Sequence, residues 1–504
     1  MRIKINIAIS LFLAAATNFC FISNAYADPT QLPLLQQNDL IYEGAFRVPE
    51  GKLGLPSNYP YHNALSFSGN ALGYNPITNS LILEGRSNIL ANISIPPPAI
   101  STTISSLPVA ISLQTPIYPT NIPWNNLLAN FAQGSAAVPG GTLVYHNRLI
   151  NAAYQYYDTT AGYSHFVSSP DWSGGGGYLG TYRVGVNPVN PTVSNAPLVG
   201  GFMTIIPQEW QDSLGGPALT GMAAISIISR TSSGPCAYVF NPDDLGVKDP
   251  APATMLVGYP SQHSTIGSYS SSTTPPYTPT PEPIYNSGVE VHGVVFPSGS
   301  RSVLFFGRYG YGTRKDGSIG AGENCYGSGT ANINEIGTIP DIQAWFNANP
   351  TATGYSCGGN TIPKGSGNEC CYDPITPAVK GPHMPPYVYR IWAYDAAYML
   401  KVKRNEIIQD ADLANLAAGS QAGAVYQPWN LKPYGVWDLK LPFAIPNAEI
   451  LGAAYDSNTQ RIFITQAGVD LRGLEPFPLI QVFKLNLPLP PPLPPELLKI
   501  TPSK

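Results

Sequence analysis

Residues Val289–Gly312 have the sequence VEVHGVVFPSGSRSVLFFGRYGYG, in which two apolar runs flank the turn-forming segment Pro297–Ser300. Apolar, β-branched and aromatic residues interrupted by Pro, Ser and Gly are typical of two strands joined by a tight turn. The stretch therefore predicts a β-hairpin. Its pattern occurs again in other parts of the chain, and this repetition is the strongest structural signal in the sequence.

The repeat is clearest between Ala71–Arg86 and Gly293–Arg308, which align without a gap. A third copy is Gly452–Ala467, and weaker copies are Thr142–Tyr156 and Gly221–Phe240. A single hairpin cannot bury its own apolar face, so repeated hairpins must pack on one another. The sequence predicts an all-β fold, a β-propeller of five or more blades, because blades in a ring cover each other's faces. A large β-sandwich is the alternative.

The segment Leu40–Pro49 resembles Tyr434–Pro442, and both have the composition of outer strands. We expect the first to complete the last blade, which would bring the two ends of the domain together. Such closure removes free sheet edges that favour aggregation. The predicted organisation is therefore a propeller domain over residues 28–487, followed by a Pro-rich tail over residues 488–504.

Residues 1–27 have the features of a secretory signal peptide, with a basic start, an apolar core and small residues at Ala25 and Ala27. Its removal takes away Arg2 and Lys4 and leaves 24 basic and 30 acidic residues, a net charge of −6. An acidic surface argues against a nucleic-acid partner, and no later stretch is apolar enough for membrane insertion after signal cleavage. We expect a secreted or periplasmic protein.

Five cysteines follow the signal segment, and four of them lie in the long predicted insertion over residues 311–386. In an exported chain these four are disulfide candidates: Cys325, Cys357, Cys370 and Cys371. We expect the two adjacent cysteines to pair separately with Cys325 and Cys357, with a vicinal disulfide as the alternative. Zinc is disfavoured because the chain has no Cys-x-x-Cys pair. The fifth cysteine, Cys236, is expected to be a buried thiol.

Several segments together resemble a group of secreted bacterial proteins of uncharacterised activity that are expected to be β-propellers. The segments are YEGAFRVP, GYNPITNSLIL, GPALTGMAAISIISRTS, GVVFPSGSRSVLFFGR, YRIWAYD and GAAYDSNTQRIFI. The resemblance covers most of the chain after the signal segment. It implies a fold and a compartment, and it implies no activity, because function cannot be carried over from fold alone.

The repeat alignment places Arg86 and Arg308 at the same level, each directly after a glycine. Glu84 and Gln155 fall at or near this level, so the four residues are substrate-binding candidates. Two arginines at one mouth of the channel would bind a carboxylate or a sulfate through paired hydrogen bonds. The alternative is structural, with each arginine bonded to backbone carbonyls or to an acid of a neighbouring blade.

Glu290 and His292 alternate along one strand, so their side chains are expected to project together. The pair has the chemistry of a general base with an orienting group, and it is our catalytic candidate. The same pair would give two ligands to a divalent metal such as calcium, with His62, His146 or His165 as the third. A hydrogen-bonded feature of an ordinary strand is the alternative. The identity of any cofactor is left open by the sequence.

Aromatic residues, with Trp210 among them, are candidates for a sugar-stacking floor, and His146 is a further substrate-binding candidate. The predicted function is a hydrolase or lyase acting on a polysaccharide or a small polar substrate at the channel mouth. The alternative is a non-catalytic module that binds a glycan or a protein. Two acids and a histidine within reach of each other would favour the enzyme, and a channel of Gly, Ser and apolar residues would favour the module.

Overall fold

The computed structural model describes residues 28–487 apart from several internal segments. These segments are 118–137, 155–161, 174–176, 187–194, 224–231, 233, 260–261, 264–266, 269–283, 287, 314–316, 318, 320–324 and 378–379. The predicted signal peptide and Pro-rich tail therefore lie outside the described residues. Within them the chain is mostly β, as predicted, and consists of several antiparallel sheets.

The strands of the first half of the chain are β1 Leu40–Arg47, β2 Gly73–Asn75, β3 Ser80–Glu84, β4 Leu90–Ser94, β5 Val138–Tyr145, β6 Arg148–Tyr154, β7 His165–Ser168, β8 Gly180–Tyr182, β9 Met203–Ile205, β10 Ala218–Gly221, β11 Ala237–Phe240, β12 Ala253–Val257, β13 Gln262–His263 and β14 Gly267–Ser268.

The strands of the second half are β15 Glu290–Val295, β16 Ser302–Gly310, β17 Tyr326–Thr330, β18 Gly354–Cys357, β19 Asn360–Pro363, β20 Glu369–Tyr372, β21 Lys380–Pro382, β22 Tyr387–Asp395, β23 Gly435–Leu439, β24 Ile450–Asp456, β25 Arg461–Arg472 and β26 Glu475–Leu485. The α-helices are α1 Ala196–Val199, α2 Gln208–Leu214, α3 Ile339–Ala348 and α4 Ala396–Lys403.

Five of the sheets follow one another along the chain, and we number them in that order. The first contains β2, β3 and β4, the second β5 to β8, and the third β9 to β12. The fourth has the order β15-β16-β22-β23, and the fifth the order β24-β25-β26-β1. Each ungapped copy of the repeat is the hairpin of the first two strands of its sheet.

The strand β1 pairs with β26 along its whole length, from Leu40 opposite Leu485 to Arg47 opposite Leu479. The start of the domain therefore completes the sheet formed by its end, as the resemblance between Leu40–Pro49 and Tyr434–Pro442 predicted. Because β23 is the outermost strand of the fourth sheet, both segments are edge strands.

The first strands of the five sheets contact each other in a cycle. β2 contacts β5, β5 contacts β9, β9 contacts β15, β15 contacts β24, and β24 contacts β2. Glycine permits the closest of these approaches: a Cβ on Gly73 would lie 2.7 Å from the Thr142 carbonyl oxygen, and one on Gly293 would lie 2.6 Å from the Ala453 nitrogen. These backbones are too close for a side chain between them.

An apolar layer lies between each pair of neighbouring sheets, which makes five layers for the five sheets. The strand β16 contributes side chains to two of these apolar layers. Val303 and Phe305 pack toward the third sheet, and Leu304 and Phe306 pack toward the fifth. Both faces of the strand are buried, so its sequence is a continuous apolar run and not an alternating pattern. Each such side chain contributes about 1.5–3 kcal/mol through its burial.

The weak repeat Gly221–Phe240 does not match the other copies in the structure. The first two strands of the third sheet are β9 and β10, and Gly221–Phe240 covers the end of β10 and the third strand, β11. The cause is the helix α2, which stands between β9 and β10 where the other sheets have a tight turn. The number of residues between the first two strands is therefore larger in this sheet than in the others, and the alignment depended on that number being similar.

The predicted insertion contains two small sheets and the helix α3. Its disulfides join Cys325 to Cys371 and Cys357 to Cys370. The separate pairing of the adjacent cysteines is confirmed, and the vicinal alternative is wrong. Cys236 is a buried free thiol, also as predicted.

Candidate functional site

The start of β15 and the end of β16 hold a cluster of charged side chains around Arg308. Glu290 stands directly opposite Arg308 in the ladder, and its Oε1 lies 2.6 Å from Arg308 Nη2. The other terminal nitrogen, Nη1, lies 2.9 Å from Oε1 of Glu449 and donates to the Oδ1 of Asn447 at 2.5 Å. One guanidinium group therefore holds a carboxylate of its own sheet and another from the segment that precedes β24.

His292 joins this cluster through a β-bulge. The register of β15 shifts between Val291 and Gly293, so His292 is the extra residue of the bulge. Its Nε2 lies 3.4 Å from Oε2 of Glu290. The fifth sheet has the same shift between Ile450 and Gly452, and there the extra residue is Leu451. Bulges redirect a side chain, and this one directs a histidine toward a carboxylate.

The two carboxylates of the cluster have oppositely shifted pKa values. Burial alone would raise the pKa of Glu290, but the charge of Arg308 and the contact with His292 outweigh it and lower the pKa to about 2. The pKa of Glu449 is raised, because burial and the nearby charge of Glu290 outweigh the attraction of Arg308. Such a divergence is typical of sites where one acid gives a proton while another stays ionised.

Solvent reaches the cluster from the side of Glu449. The side chain of Glu449 is 25% exposed, compared with 15% for Glu290 and 10% for Arg308 and His292. Arg308 also has the ring of Tyr387 4.5 Å from its guanidinium carbon, and its buried Nε has no hydrogen-bond partner. The cluster is thus partly desolvated, which strengthens its electrostatic interactions, and it remains open to a small polar group.

Arg86 does not join Arg308. Its Nη1 lies 2.7 Å from Oε1 of Glu475 and 3.3 Å from Oγ of Ser66, and its guanidinium carbon lies 3.8 Å from the ring centre of Tyr61. Arg86 and Arg308 occupy equivalent positions in their hairpins, as the repeat predicted. The equivalence fails for a shared binding site, because the two arginines have different acidic partners. Arg86 therefore matches the structural alternative, in which the arginine is bonded to an acid of a neighbouring sheet.

Glu84 is a buried carboxyl group with a pKa raised by burial to about 8. Its Oε2 has no hydrogen-bond partner, and neither have the two polar atoms of the Asn92 side chain in the next strand. The residue as a whole is 5% exposed. The role of Glu84 in substrate binding stays a prediction.

Two further predicted residues are not part of the cluster. Trp210 is fully buried in α2 and donates to the Ser300 carbonyl oxygen at 3.0 Å, so its ring cannot stack on a sugar. His146 lies in the turn between β5 and β6, where its Nδ1 is 3.0 Å from Oδ2 of Asp243. Gln155 lies outside the described residues.

Among the residues that the structure describes, none forms a third metal ligand together with Glu290 and His292. His165 is buried between Ser164 and Thr220, and burial lowers its pKa to about 3. Across the described ranges, a single group of three His, Cys, Asp or Glu side chains is close enough to hold a metal. It consists of Cys325, Glu369 and Cys371, and its two cysteines are bonded to each other. A disulfide offers no thiolate to a metal.

A cavity of about 780 Å³ lies at the opposite ends of the first strands. All five sheets contribute to its wall, which includes Gly73 and Tyr74, Thr142 to Val144, Met203 to Glu209 with Gln211, Phe296 and Ser298, and Ala453 to Tyr455 with Ser457 and Asn458. Sequence reasoning missed this site. The available signal was the aromatic position shared by the three clear copies of the repeat: Tyr74, Phe296 and Tyr455.

In comparisons with known proteins, no family model matches the sequence, and no curated protein matches it. Among the helices in the described part of the chain, none has the length and apolar composition needed to cross a membrane.

Proposed function

We propose that the chain is an exported β-propeller enzyme, a hydrolase or a lyase that acts on an extracellular polysaccharide or a small polar substrate. In this proposal the five sheets are five blades around a central axis. The cyclic contacts of the first strands and the five apolar layers support it. The pairing of β1 with β26 supports closure of the ring between the last blade and the start of the domain.

The observation that carries the enzymatic proposal is the meeting of Glu290, His292 and Glu449 around one guanidinium group. In the proposed chemistry Glu449, with its raised pKa, is the general acid and gives a proton to the oxygen of the leaving sugar. Glu290 stays ionised and orients His292, which is the general base. Arg308 is placed to stabilise negative charge that develops on the substrate.

The same groups serve the two reaction types in different ways. In hydrolysis, His292 takes a proton from water, the water oxygen attacks the anomeric carbon, and the C–O bond breaks as Glu449 protonates the leaving oxygen. In elimination, His292 takes the proton from the carbon next to a uronate carboxylate, and a C=C bond forms to the neighbouring carbon C4. The bond between C4 and the glycosidic oxygen breaks, instead of the anomeric bond, and Glu449 protonates the leaving oxygen. Arg308 then faces the carboxylate.

The test is a substrate panel with two readouts. Purified protein is incubated with neutral and uronate-containing polysaccharides, and reducing ends and the ultraviolet absorbance of unsaturated sugars are both measured. Reducing ends without the absorbance indicate hydrolysis, and the two signals together indicate elimination. We expect His292→Asn to abolish whichever signal appears. Absence of both signals across the panel, or full activity in His292→Asn, would contradict the proposal.

Export is part of the proposal, and the two disulfides support it, because such bonds persist in oxidising compartments.

The alternative function, a non-catalytic module that binds a glycan or a protein, is supported by the large cavity at the other ends of the first strands. A bound ligand without any turnover would favour that alternative.

A further inference from the structure

The cavity at the far ends of the first strands has the wall chemistry of a binding site for an uncharged ligand. Its polar side chains are hydroxyls and amides, from Tyr74, Thr142, Thr204, Gln208, Gln211, Ser298, Tyr455, Ser457 and Asn458. Among the described residues of the wall there is no Lys, Arg or His, and the one acid is Glu209. That carboxylate already accepts the Gly299 N–H at 2.8 Å. A site without a cationic group gives no favourable partner to an anionic ligand.

The size of the cavity and its mixed polar and apolar surface also indicate a small uncharged ligand. A volume of about 780 Å³ is within the range of sites that enclose small organic ligands. Apolar residues such as Phe296, Ile206 and Met203 form the wall together with the polar ones. A sugar ring needs this combination, because its C–H faces pack on aromatic surfaces while its hydroxyls exchange hydrogen bonds with hydroxyl and amide groups.

The rim of the cavity has hydrogen-bonding groups that are ready for a ligand. Gln208, Ser457 and Asn458 are exposed, and Tyr74 and Tyr455 are half-buried. The hydroxyl of Tyr455 lies 3.4 Å from Ser298 Oγ, a contact long enough to yield to a better partner. In contrast, the deeper residues Thr142 and Thr204 are almost fully buried and form the floor.

This site is distinct from the charged cluster. Glu290 is the first residue of β15, and Phe296 follows its last residue. Six strand residues separate the two sites by roughly 20 Å at about 3.3 Å per residue. Between them, Gly293 lies against Ala453, so the first strands are tightly packed at the intermediate level.

We propose that this cavity binds a neutral saccharide of one to a few sugar units, separately from the chemistry at Arg308. The proposal does not require that the charged cluster be catalytic. If both proposals hold, the protein holds a glycan at one end of the first strands and acts on a polar substrate at the other.

The test uses isothermal titration calorimetry with the full mature chain and a panel of neutral mono- and disaccharides, with glucuronic acid as the charged comparison. We expect at least one neutral sugar to bind and the acid to bind more weakly. Tyr455→Ala should lower the affinity about 5- to 10-fold through loss of the ring contact and the hydroxyl, and Tyr455→Phe, which loses the hydroxyl alone, should lower it less. Gln208→Ala should lower it as well.

Tyr178→Ala is the matched control, because Tyr178 is an exposed tyrosine outside the cavity. It should keep full affinity, and the melting temperature of each variant shows whether it is folded. Glu449→Gln should also keep full affinity, which separates this proposal from the enzymatic one. The proposal is overturned if no neutral sugar binds, if the acid binds best, or if folded Tyr455→Ala and Gln208→Ala bind like the wild type.

Discussion

The carboxylate of Glu449 lies 2.9 Å from the guanidinium group of Arg308, although the two residues are 141 positions apart in the chain. The contact joins the fourth sheet to the segment that enters the fifth. Because Arg308 also holds Glu290, its guanidinium group faces two acidic side chains, one from the fourth sheet and one from the segment before β24.

We predict that Arg308→Gln destabilises the protein by about 3 kcal/mol at neutral pH, because it leaves the buried Glu290 without its counter-charge. The matched control is Arg86→Gln, at the equivalent position of its own hairpin. Its partner Glu475 is 24% exposed, so this change should cost at most about 1 kcal/mol. Urea unfolding of both variants gives the comparison. Equal losses would show that the Arg308 cluster has no special role in stability.

The lowered pKa of Glu290 predicts a loss of stability in acid. The group is ionised in the folded protein down to about pH 2, whereas in the unfolded chain its pKa has the ordinary value of 4.5. Its contribution is therefore complete above pH 4.5 and is lost as the pH falls toward 2. Unfolding free energies measured between pH 6 and pH 3 should fall less steeply in Glu290→Gln than in the wild type. Parallel curves would contradict the assignment.

Glu84 predicts the opposite pH dependence. Its pKa is raised from 4.5 to about 8 in the folded protein, so folding favours the protonated form. Stability is complete below pH 4.5, falls as the pH rises toward 8, and stays low above it. Glu84→Gln removes the titration, so its stability relative to the wild type should be greater at pH 9 than at pH 5, by about 2–4 kcal/mol. A difference that is independent of pH would be the contrary result.

Close packing of the first strands predicts that Gly293→Ala is strongly destabilising. The added methyl carbon would lie 2.6 Å from the backbone nitrogen of Ala453, which cannot move without displacing its strand. We expect a loss of about 2 kcal/mol or more, as for other overpacked interiors. Gly381→Ala is the control, because a Cβ there has no atom within 4 Å. Thermal unfolding of the two variants should differ clearly, and similar melting temperatures would contradict the packing.

The sequence was sufficient for the features that depend on local or repeated signals. The hairpins, the edge strand Leu40–Arg47 and the two disulfides follow from turn residues, internal similarity and cysteine content. Glu290 and His292 were identified because they are two residues apart. The bulge that brings His292 toward Glu290 was not foreseen, because a single extra residue in a ladder leaves no pattern in one copy of the strand.

Residues that meet only through packing between sheets could not be found in this way. Glu449 lies before β24 and outside the repeat, so no spacing connects it with Arg308. The repeat alignment instead suggested Arg86 as the partner of Arg308, because alignment detects equivalent positions and not contacts. Trp210 was a candidate for a ligand surface, but its side chain is fully buried. An aromatic residue in a helix that follows a turn has the same sequence pattern whether its side chain is buried or exposed.

The most direct test of the central claim compares two carboxylates at equivalent arginines. Turnover of the best substrate from the panel is measured for wild type, Glu449→Gln and Glu475→Gln, with melting temperatures to verify folding. We predict that Glu449→Gln lowers kcat at least about 100-fold, as expected for removal of a general acid. Glu475→Gln should keep the wild-type turnover. Equal activity in the two folded variants would show that the cluster around Arg308 is not the catalytic site.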